Sequence, residues 1–177
     1  DSVTRELVFT LDGFQRITNV TLNGLASETY TYDLVGNRTS ATNASMGWFG
    51  ETWTYNDLDQ LTTAPGMTFT YDGNGNMATW ADDAGTTSFT HLPTGALRSV
   101  EMPDGTVVSY RYDFNGALAE RSVDGAVTNR FLVDRRSRLR AVFDANDNLL
   151  ERVVWVADRP RRIERGADTY WIETDFA

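Results

Sequence analysis

The chain has 177 residues, of which 41% are hydrophobic, and its formal net charge is −9. That length and apolar content suffice for an ordinary globular domain and exclude a chain that is disordered by composition. Cysteine is absent, and no apolar run approaches the roughly 20 residues of a membrane helix, so disulfides, zinc–thiolate sites, thiol nucleophiles and a membrane span are excluded.

Positive charge is concentrated in one part of the chain. All 16 basic residues are arginine, and ten of them lie in residues 130–165 with six acids. One interpretation is an anion- or nucleic-acid-binding patch. The other is a solvated strand face on which acids such as Asp134, Glu151 and Glu164 alternate with the arginines. Because nucleic-acid binders are usually basic over the whole domain, we predict no nucleic-acid partner.

A short motif recurs along the chain: two residues at i and i+2, mostly aromatic, followed by Asp or Asn. In chain order the copies are Phe9-Thr10-Leu11-Asp12, Tyr30-Thr31-Tyr32-Asp33, Trp53-Thr54-Tyr55-Asn56, Phe69-Thr70-Tyr71-Asp72, Phe89-Thr90-His91-Leu92, Tyr110-Arg111-Tyr112-Asp113 and Phe131-Leu132-Val133-Asp134. We call the fourth position of each copy its anchor. The anchors are 21, 23, 16, 20, 21 and 21 residues apart, which is typical of a repeat protein.

Each copy predicts the end of a β-strand and a tight turn. Residues two apart on a strand share a face, so Tyr110 and Tyr112 point the same way and the residue between them points the other way. The anchor Asp accepts hydrogen bonds from backbone groups ahead of it, and a following Gly adopts positive φ without strain. We therefore assign structural roles to Phe9, Asp12, Tyr30, Tyr32, Asp33, Gly36, Trp53, Tyr55, Phe69, Tyr71, Asp72, Gly75, Phe89, Gly95, Tyr110, Tyr112, Asp113, Gly116, Phe131 and Asp134.

A second series of turns lies between the anchors, at Asn23-Gly24, Pro65-Gly66, Ala84-Gly85, Asp104-Gly105 and Asp124-Gly125. Asn-Gly and Asp-Gly between alternating apolar residues are strong hairpin signals, and turns at about ten-residue intervals indicate an all-β protein. Strands joined by such short turns are antiparallel. The sequence thus predicts one all-β domain over residues 1–177, with seven to eight tandem antiparallel hairpin repeats.

The last third of the chain offers a competing assignment. Apolar residues in 138–153 could be spaced for a helix, but turn formers interrupt them at Asp144–Asn148, so we predict two strands around that turn. We also predict a strand at Val154–Val156, a turn near Asp158–Pro160 and a strand at Tyr170–Asp175.

These motifs resemble YD repeats, also called Rhs repeats. Residues Tyr30–Arg38 and Tyr110–Gly116 carry the resemblance most clearly, and it extends over about residues 8–175. Such repeats occur in bacterial Rhs and wall-associated polymorphic toxins, in the C subunits of insecticidal Tc toxins and in animal teneurins. Tyr170–Asp175 resembles the opening of the Rhs-associated core, so we expect a fragment of a longer chain. The pair His91-Leu92 and the residue Val133 depart from the motif, and their turns are expected to be looser or to face a neighbour.

The resemblance implies a structural function. In the family, the repeats wind a long β-sheet into a spiral that closes as a hollow shell around a cargo polypeptide. The resemblance therefore implies that the hairpin repeats form a curved or spiralling sheet. We therefore predict a non-catalytic wall segment of a bacterial toxin or surface protein, secreted or at the cell surface. Its partners are the other repeats of its own chain and an enclosed toxin segment. A cut sheet has open edges, so we expect the isolated chain to self-associate.

The alternative function is a carbohydrate- or receptor-binding adhesion module with a glycan partner. Exposed aromatic rows can stack sugars, and the chain has five tryptophans, Trp48, Trp53, Trp80, Trp155 and Trp171. The competing interpretation of these aromatics is cross-strand packing that maintains the register of the sheet, which their i, i+2 placement favours.

Candidate catalytic groups are few. His91 is the only histidine, it occupies an aromatic position of the repeat, and the chain contains no lysine. A nucleophile therefore lacks an evident base beside it. The acid pairs Asp57/Asp59 and Asp82-Asp83 lie in predicted turns, where Asp is common. We predict no enzymatic activity and no cofactor.

Two segments partly match a calcium loop. Asp72–Asn76 and Asp144–Asn148 place side-chain oxygens at alternate positions, as an EF-hand loop does. The sixth position is Met77 or Leu149 instead of Gly, and the twelfth is Asp83 or Trp155 instead of Glu. Both departures favour ordinary turns, and we predict no metal site.

Overall fold

The computed structural model of the chain describes residues 5–43 and 46–173, without the side chains of Trp48 and Phe49. Within those ranges the regular structure is β, and there is no α-helix. Among these residues no helix is long and apolar enough to cross a membrane. The predicted strand residues Thr174 and Asp175 lie outside the described residues.

Eighteen strands follow one another in the described residues. The first nine are β1 (Leu7–Leu11), β2 (Ile17–Leu22), β3 (Leu25–Tyr32), β4 (Arg38–Asn43), β5 (Trp48–Thr52), β6 (Thr54–Tyr55), β7 (Leu61–Ala64), β8 (Met67–Tyr71) and β9 (Met77–Asp82). The others are β10 (Gly85–His91), β11 (Leu97–Glu101), β12 (Val107–Tyr112), β13 (Leu118–Val123), β14 (Ala126–Val133), β15 (Leu139–Phe143), β16 (Leu149–Val156), β17 (Arg159–Arg165) and β18 (Asp168–Trp171).

The strands hydrogen-bond in chain order, in a five-stranded sheet from β1 to β5 and a thirteen-stranded sheet from β6 to β18. Antiparallel pairing follows from the short turns, because a turn of a few residues reverses the chain. The predicted all-β hairpin fold is confirmed. The helix alternative for 138–153 is wrong, because β15 and β16 pair across the predicted turn, with Ala141 opposite Arg152. The curvature of the sheet stays a prediction.

A β-bulge precedes most anchors. The register shifts between Thr10 and Leu11, between Thr31 and Tyr32, and between Arg111 and Tyr112, each time directly before the turn. A bulge sets two residues of one strand against one of its partner and so re-aims a side chain. The middle residues of five copies, Thr10, Thr31, Thr54, Thr70 and Thr90, are all exposed. Exposed and half-buried residues alternate in β8 and at the end of β3, whereas every residue of β1 is exposed.

By their internal contacts, the residues fall into two compact units. Of the described residues, the first unit comprises those up to 72 and residues 79–85, and the second comprises residues 73–78 and those from 86 onward. Few side chains in either unit are fully enclosed. The buried apolar residues are Val20, Ala41 and Trp53 in the first unit and Val108, Ala141 and Val142 in the second. That all 177 residues behave as one domain stays a prediction.

Candidate functional site

The anchor turn has a definite hydrogen-bond pattern, seen clearly at Asp113. Its backbone N–H donates to the carbonyl of Ala117 (2.8 Å), and Gly116 N–H donates to the Asp113 carbonyl (3.0 Å). One carboxylate oxygen, Oδ1, accepts the N–H groups of Asn115 and Ala117 (2.8 and 2.9 Å). Gly116 adopts φ of 80°, a conformation that glycine reaches without strain. The carboxylate is therefore occupied in shaping the chain reversal.

The same backbone closure recurs without an anchor carboxylate. The Leu92 N–H donates to the Ala96 carbonyl, and the Gly95 N–H donates to the Leu92 carbonyl, both at 2.8 Å. The Leu92 turn therefore keeps the backbone closure of the Asp113 turn but lacks its two carboxylate bonds, because leucine has no side-chain acceptor. That this turn is looser or faces a neighbour stays a prediction. Two turns that the sequence analysis did not count as anchors close identically, at Met102 and Asp144.

A tyrosine hydroxyl joins each of several repeats to the one before it. The residue preceding the anchor donates its O–H to the carbonyl five residues after the previous anchor. The bonds run from Tyr32 to Ile17 (2.8 Å), from Tyr55 to Arg38 (2.9 Å), from Tyr71 to Leu61 (2.9 Å) and from Tyr112 to Leu97 (2.8 Å). The Trp155 indole N–H bonds the Leu139 carbonyl in the same way (2.8 Å). We call this contact the aromatic clasp.

An arginine makes a second connection in two places. Arg16 lies four residues after its anchor and donates from Nε to Asp12 Oδ2 (2.7 Å) and from NH1 to the Asp33 carbonyl (2.9 Å). Its guanidinium also stacks on the Tyr32 ring, 4.7 Å from the centroid. Arg138 likewise bonds Asp134 Oδ2 (2.8 Å) and the Ala157 carbonyl (2.9 Å). We call this contact the arginine bridge.

The bridges and turns stabilise the charged form of the anchor carboxylates. The Arg138 side chain lowers the pKa of Asp134 to about 2 from its ordinary value of 3.8. The backbone N–H of Arg16 is the largest of several hydrogen bonds that lower the pKa of Asp12. The Asn148 side chain does the same for the pKa of Asp144. Hydrogen bonds to the ionised oxygen explain this common direction.

Two neighbouring turns lack a side chain long enough for a bridge. Alanine occupies the bridging position at Ala96 and Ala117, and a hollow lies against each. One hollow, of about 640 Å³, is lined by residues of the turns at Leu92 and Asp113, including Ala96, Tyr112 and Phe114. The other, of about 350 Å³, is lined by residues 115–118, Phe131, Val133, Ser137 and Leu139. Phe114, in the turn at Asp113, is 96% exposed.

The arginines of residues 130–165 form ion pairs with acids from the same part of the chain. Arg130 contacts Asp147 (2.7 Å), Arg152 contacts Glu164 (3.1 Å) and Arg165 contacts Glu151 (2.6 Å). This pattern matches the solvated strand face of the sequence analysis and disfavours a nucleic-acid patch, because the charge that would attract phosphates is locally neutralised.

The candidate catalytic residues lie at the ends of strands or in turns. His91 ends β10 and is half-buried. Asp59 accepts a hydrogen bond from Asn37 Nδ2 (3.1 Å), and Asp82 accepts one from the Ala84 N–H (2.8 Å). The Asp82 carboxylate therefore serves its own turn, and the Asp59 carboxylate joins its turn to the turn at Asp33. Within residues 5–43 and 46–173, no three His, Cys, Asp or Glu side chains are grouped to hold one metal ion.

The structure places the assigned repeat residues in two sets. The aromatic positions lie near the ends of the strands that precede the anchors, in β1, β3, β6, β8, β10, β12 and β14, with Trp53 between β5 and β6. The anchors and the glycines Gly36, Gly75, Gly95 and Gly116 lie in the turns, and all four glycines have positive φ. The bridging position, four residues after an anchor, was not predicted from the sequence. The signal available for it was a polar residue at that position.

The geometry defines a β-hairpin repeat protein whose conspicuous polar residues hold turns and join repeats. The sequence profile of the teneurin YD-shell family matches residues 5–175. The chain belongs to that family, whose members are structural shell modules. No curated protein sequence matches it.

Solved structures agree on the fold. The crystal structure of TcdB2-TccC3-TEV superposes with a TM-score of 0.61 at 14% identity, over 93% of this chain and 12% of that chain. The Photorhabdus luminescens Tc holotoxin pore with a mutated TccC3 gives 0.60 at 14% identity, over 92% and 11%. The chain therefore spans about an eighth of the length of those chains, and at this identity the likeness concerns the fold alone.

Proposed function

We propose that the chain is a non-catalytic segment of a shell wall that encloses or displays a cargo polypeptide. One observation supports this proposal above the others. Hairpins follow each other in chain order, and aromatic clasps run from one repeat to the repeat before it. An array of this kind can be lengthened by adding repeats, and its sheet has two faces. A wall needs both properties, whereas a binding pocket needs neither.

The location and the partners that we propose follow from the function of a wall segment. A wall segment acts inside a secreted or cell-surface protein of a bacterium. Its partners are further repeats of its own chain and the enclosed segment. No reaction is assigned to the wall, because its carboxylates are engaged in turns and bridges.

The test is protease protection in the full reading frame that contains this segment. With the wall intact, a cargo that follows the repeats should resist protease that digests the same cargo expressed alone. Deleting the hairpin of residues 92–112 removes one whole repeat and should open the wall, so that the cargo is digested. Equal digestion of the cargo with and without that hairpin would contradict enclosure.

The isolated chain is expected to self-associate through its sheet edges. All five residues of β1 are exposed, among them Leu7, Val8 and Phe9, and β18 exposes Tyr170 and Trp171. Among the described strands both lie at a sheet edge, so the backbone groups on one side of each pair with no described strand. Light scattering should show a mass that grows with concentration, and Val8→Lys should reduce that growth. A clean monomer at high concentration would contradict it.

An adhesion module is the second candidate, favoured by the larger hollow. Its walls combine the aromatic Tyr110, Tyr112 and Phe114 with the cationic Arg98 and Arg111. Aromatic faces with a few polar groups suit a sugar. Selective signals on a glycan array that disappear in Phe114→Ala would favour adhesion, whereas an array without signals would leave the wall as the function.

A further inference from the structure

The larger hollow lies where other repeats of the chain stack a cation on an aromatic ring. Arg16 follows the anchor Asp12 by four residues, and its guanidinium lies 4.7 Å from the ring centroid of Tyr32, which precedes the next anchor. Arg138 stacks on the clasp residue Trp155 in the same way, at 5.4 Å. In both places the chain itself supplies a cation that covers an aromatic face.

The repeat that begins at Leu92 has the ring without the cation. The residue four after Leu92 is Ala96, and the ring that precedes the next anchor is Tyr112. Both Ala96 and Tyr112 line the hollow of about 640 Å³, and its other aromatic residues are Tyr110 and Phe114. The hollow therefore offers aromatic faces to a cation that comes from outside the chain.

The cation that fits this place has no N–H groups. In the Arg16 bridge, Nε donates to the anchor carboxylate, Asp12 Oδ2, at 2.7 Å. At Leu92 the anchor is apolar, so a guanidinium or a primary ammonium in the same place would lose that acceptor. A quaternary ammonium donates no hydrogen bond and is recognised by aromatic faces. Asp113, which is exposed and lines the same hollow, adds a negative charge.

Arg98 supplies a group for an anion. It lines the hollow, is exposed, and has no hydrogen bond or ion pair to another described residue. It is the extra residue of the bulge where β11 pairs with β10. Arg140 holds the same bulge position in its own repeat and contacts the anchor Asp134 through Oδ2 at 3.8 Å. Because the anchor is Leu92 here, Arg98 lacks the acid that Arg140 has.

We propose that the larger hollow binds phosphocholine, whose quaternary ammonium contacts the aromatic rings and whose phosphate contacts Arg98. Ala96 and Arg98 are two residues apart, roughly 6–7 Å in an extended chain, so the ligand must separate its two charges. Phosphocholine does so through a two-carbon spacer, whereas glycine betaine carries both charges on one carbon. The proposal deepens the adhesion candidate by naming a ligand for its hollow, and it does not depend on cargo enclosure.

The test is a titration of the 177-residue chain with phosphocholine. Saturation-transfer difference NMR on the trimethylammonium protons measures binding also when the chain self-associates. We expect saturable binding. Choline lacks the phosphate and phosphoethanolamine lacks the three methyl groups, so each should bind roughly tenfold more weakly. Absence of saturable phosphocholine binding, or equal affinity for phosphoethanolamine, would overturn the proposal.

Three variants locate the site. Ala96→Met should cover the Tyr112 ring with an uncharged side chain and abolish binding. Ala117→Met, the same substitution four residues after the next anchor, is the matched control and should leave binding unchanged. Arg98→Gln should weaken phosphocholine binding roughly tenfold and leave choline binding unchanged. Unchanged phosphocholine binding in Ala96→Met would contradict the assignment to this hollow.

Vesicle flotation distinguishes the two sources of the group. If the group is a lipid headgroup, the chain should float with phosphatidylcholine vesicles and not with phosphatidylglycerol vesicles. Binding of soluble phosphocholine without flotation would assign the site to phosphocholine carried by a molecule outside a bilayer. Sugar signals that depend on Phe114, without phosphocholine binding, would keep the adhesion candidate and overturn this ligand.

Discussion

At Asp134, one carboxylate oxygen accepts the backbone N–H groups of Arg136 and Arg138, and the other accepts the Arg138 side chain. These bonds are stronger to the ionised carboxylate than to the protonated one. At the scale of the residue, the anchor acid is thus a turn former whose charge is stabilised by its surroundings. The same reasoning applies to Asp12 and Asp144, whose pKa values are lowered by hydrogen bonds of the same kind.

The lowered pKa of Asp134 makes its contribution dependent on pH. The folded pKa is about 2 and the ordinary value is 3.8, so the stabilisation is complete above about pH 4 and is lost as the pH falls towards 2. Asp134→Asn should therefore unfold at a lower temperature than the unsubstituted chain at pH 6. The gap should close by about pH 2 in thermal melts.

A matched control is Asp57→Asn, in an exposed turn position without a hydrogen bond within the described residues. Its melting temperature should differ little from that of the unsubstituted chain at either pH. A gap for Asp134→Asn that persists unchanged at pH 2 would refute the role given to its charge.

The aromatic clasp gives a second residue-scale prediction. Tyr112→Phe removes only the hydroxyl that donates to the Leu97 carbonyl at 2.8 Å. The loss should lower the free energy of unfolding by about 1 kcal/mol, the usual net value of such a bond. Urea denaturation measures it. Tyr110→Phe is the control, because no hydrogen bond of the Tyr110 hydroxyl exists within the described residues. Equal effects of the two substitutions would contradict the clasp.

At the scale of the element, the unit of construction is a hairpin with one clasp and, in places, one bridge. The repeat ending at Val133 lacks the clasp, because valine has no donor for the Leu118 carbonyl. It also follows a turn without a bridge. Both missing groups border the hollow of about 350 Å³. The departure of Val133 from the motif therefore leaves the turn at Asp134 closed and opens space beside it.

Val133→Tyr should restore the clasp at this repeat. The ring would fill part of the hollow, and its hydroxyl would reach the Leu118 carbonyl as Tyr112 reaches Leu97. We expect a gain of about 1–2 kcal/mol in the free energy of unfolding. Chemical denaturation of Val133→Tyr beside Val133→Phe separates filling from hydrogen bonding. A loss of stability in both variants would show that the hollow cannot admit a ring.

The predictability of these elements depended on what each residue contacts. Residues that form a turn contact their neighbours in sequence, so the turn at Asp113 and Gly116 could be predicted from the sequence. The closure at Leu92 could not be seen in the same way, because it depends on backbone groups that every residue has. The bridge of Arg16 was also hidden, since its second acceptor, Asp33, lies 17 residues away and only the register brings it near. The repeated motif predicted the fold, whereas the hollows lie beside residues that depart from the repeated pattern.

At the scale of the whole molecule, each described strand depends mainly on the strands beside it. Val108, only 3% exposed, is buried in β12, which pairs with β11 and β13. In an array of this kind, stability is approximately a sum over repeats and their interfaces. A defect should therefore loosen its own surroundings before it loosens distant strands.

Val108→Ala tests this expectation. The substitution should cost about 1–3 kcal/mol locally. Amide hydrogen exchange should accelerate in β11, β12 and β13 and remain unchanged in β1–β4. The conservative control is Val107→Ala, at a less buried position of the same strand. Uniform acceleration over all described strands would show that residues 1–177 unfold as one cooperative domain.

The aromatic clasp has a consequence for how such chains can grow. Its endpoints are fixed relative to two successive anchors, yet the bond spans 10 residues at Tyr71, 15 at Tyr112 and 17 at Tyr55. The length of the hairpin arms is therefore free to vary while the joint stays constant. Foreign peptides inserted at the turns opposite the anchors, such as Asp124-Gly125, would be displayed at regular intervals along the array. The array could therefore serve as a scaffold for multivalent presentation.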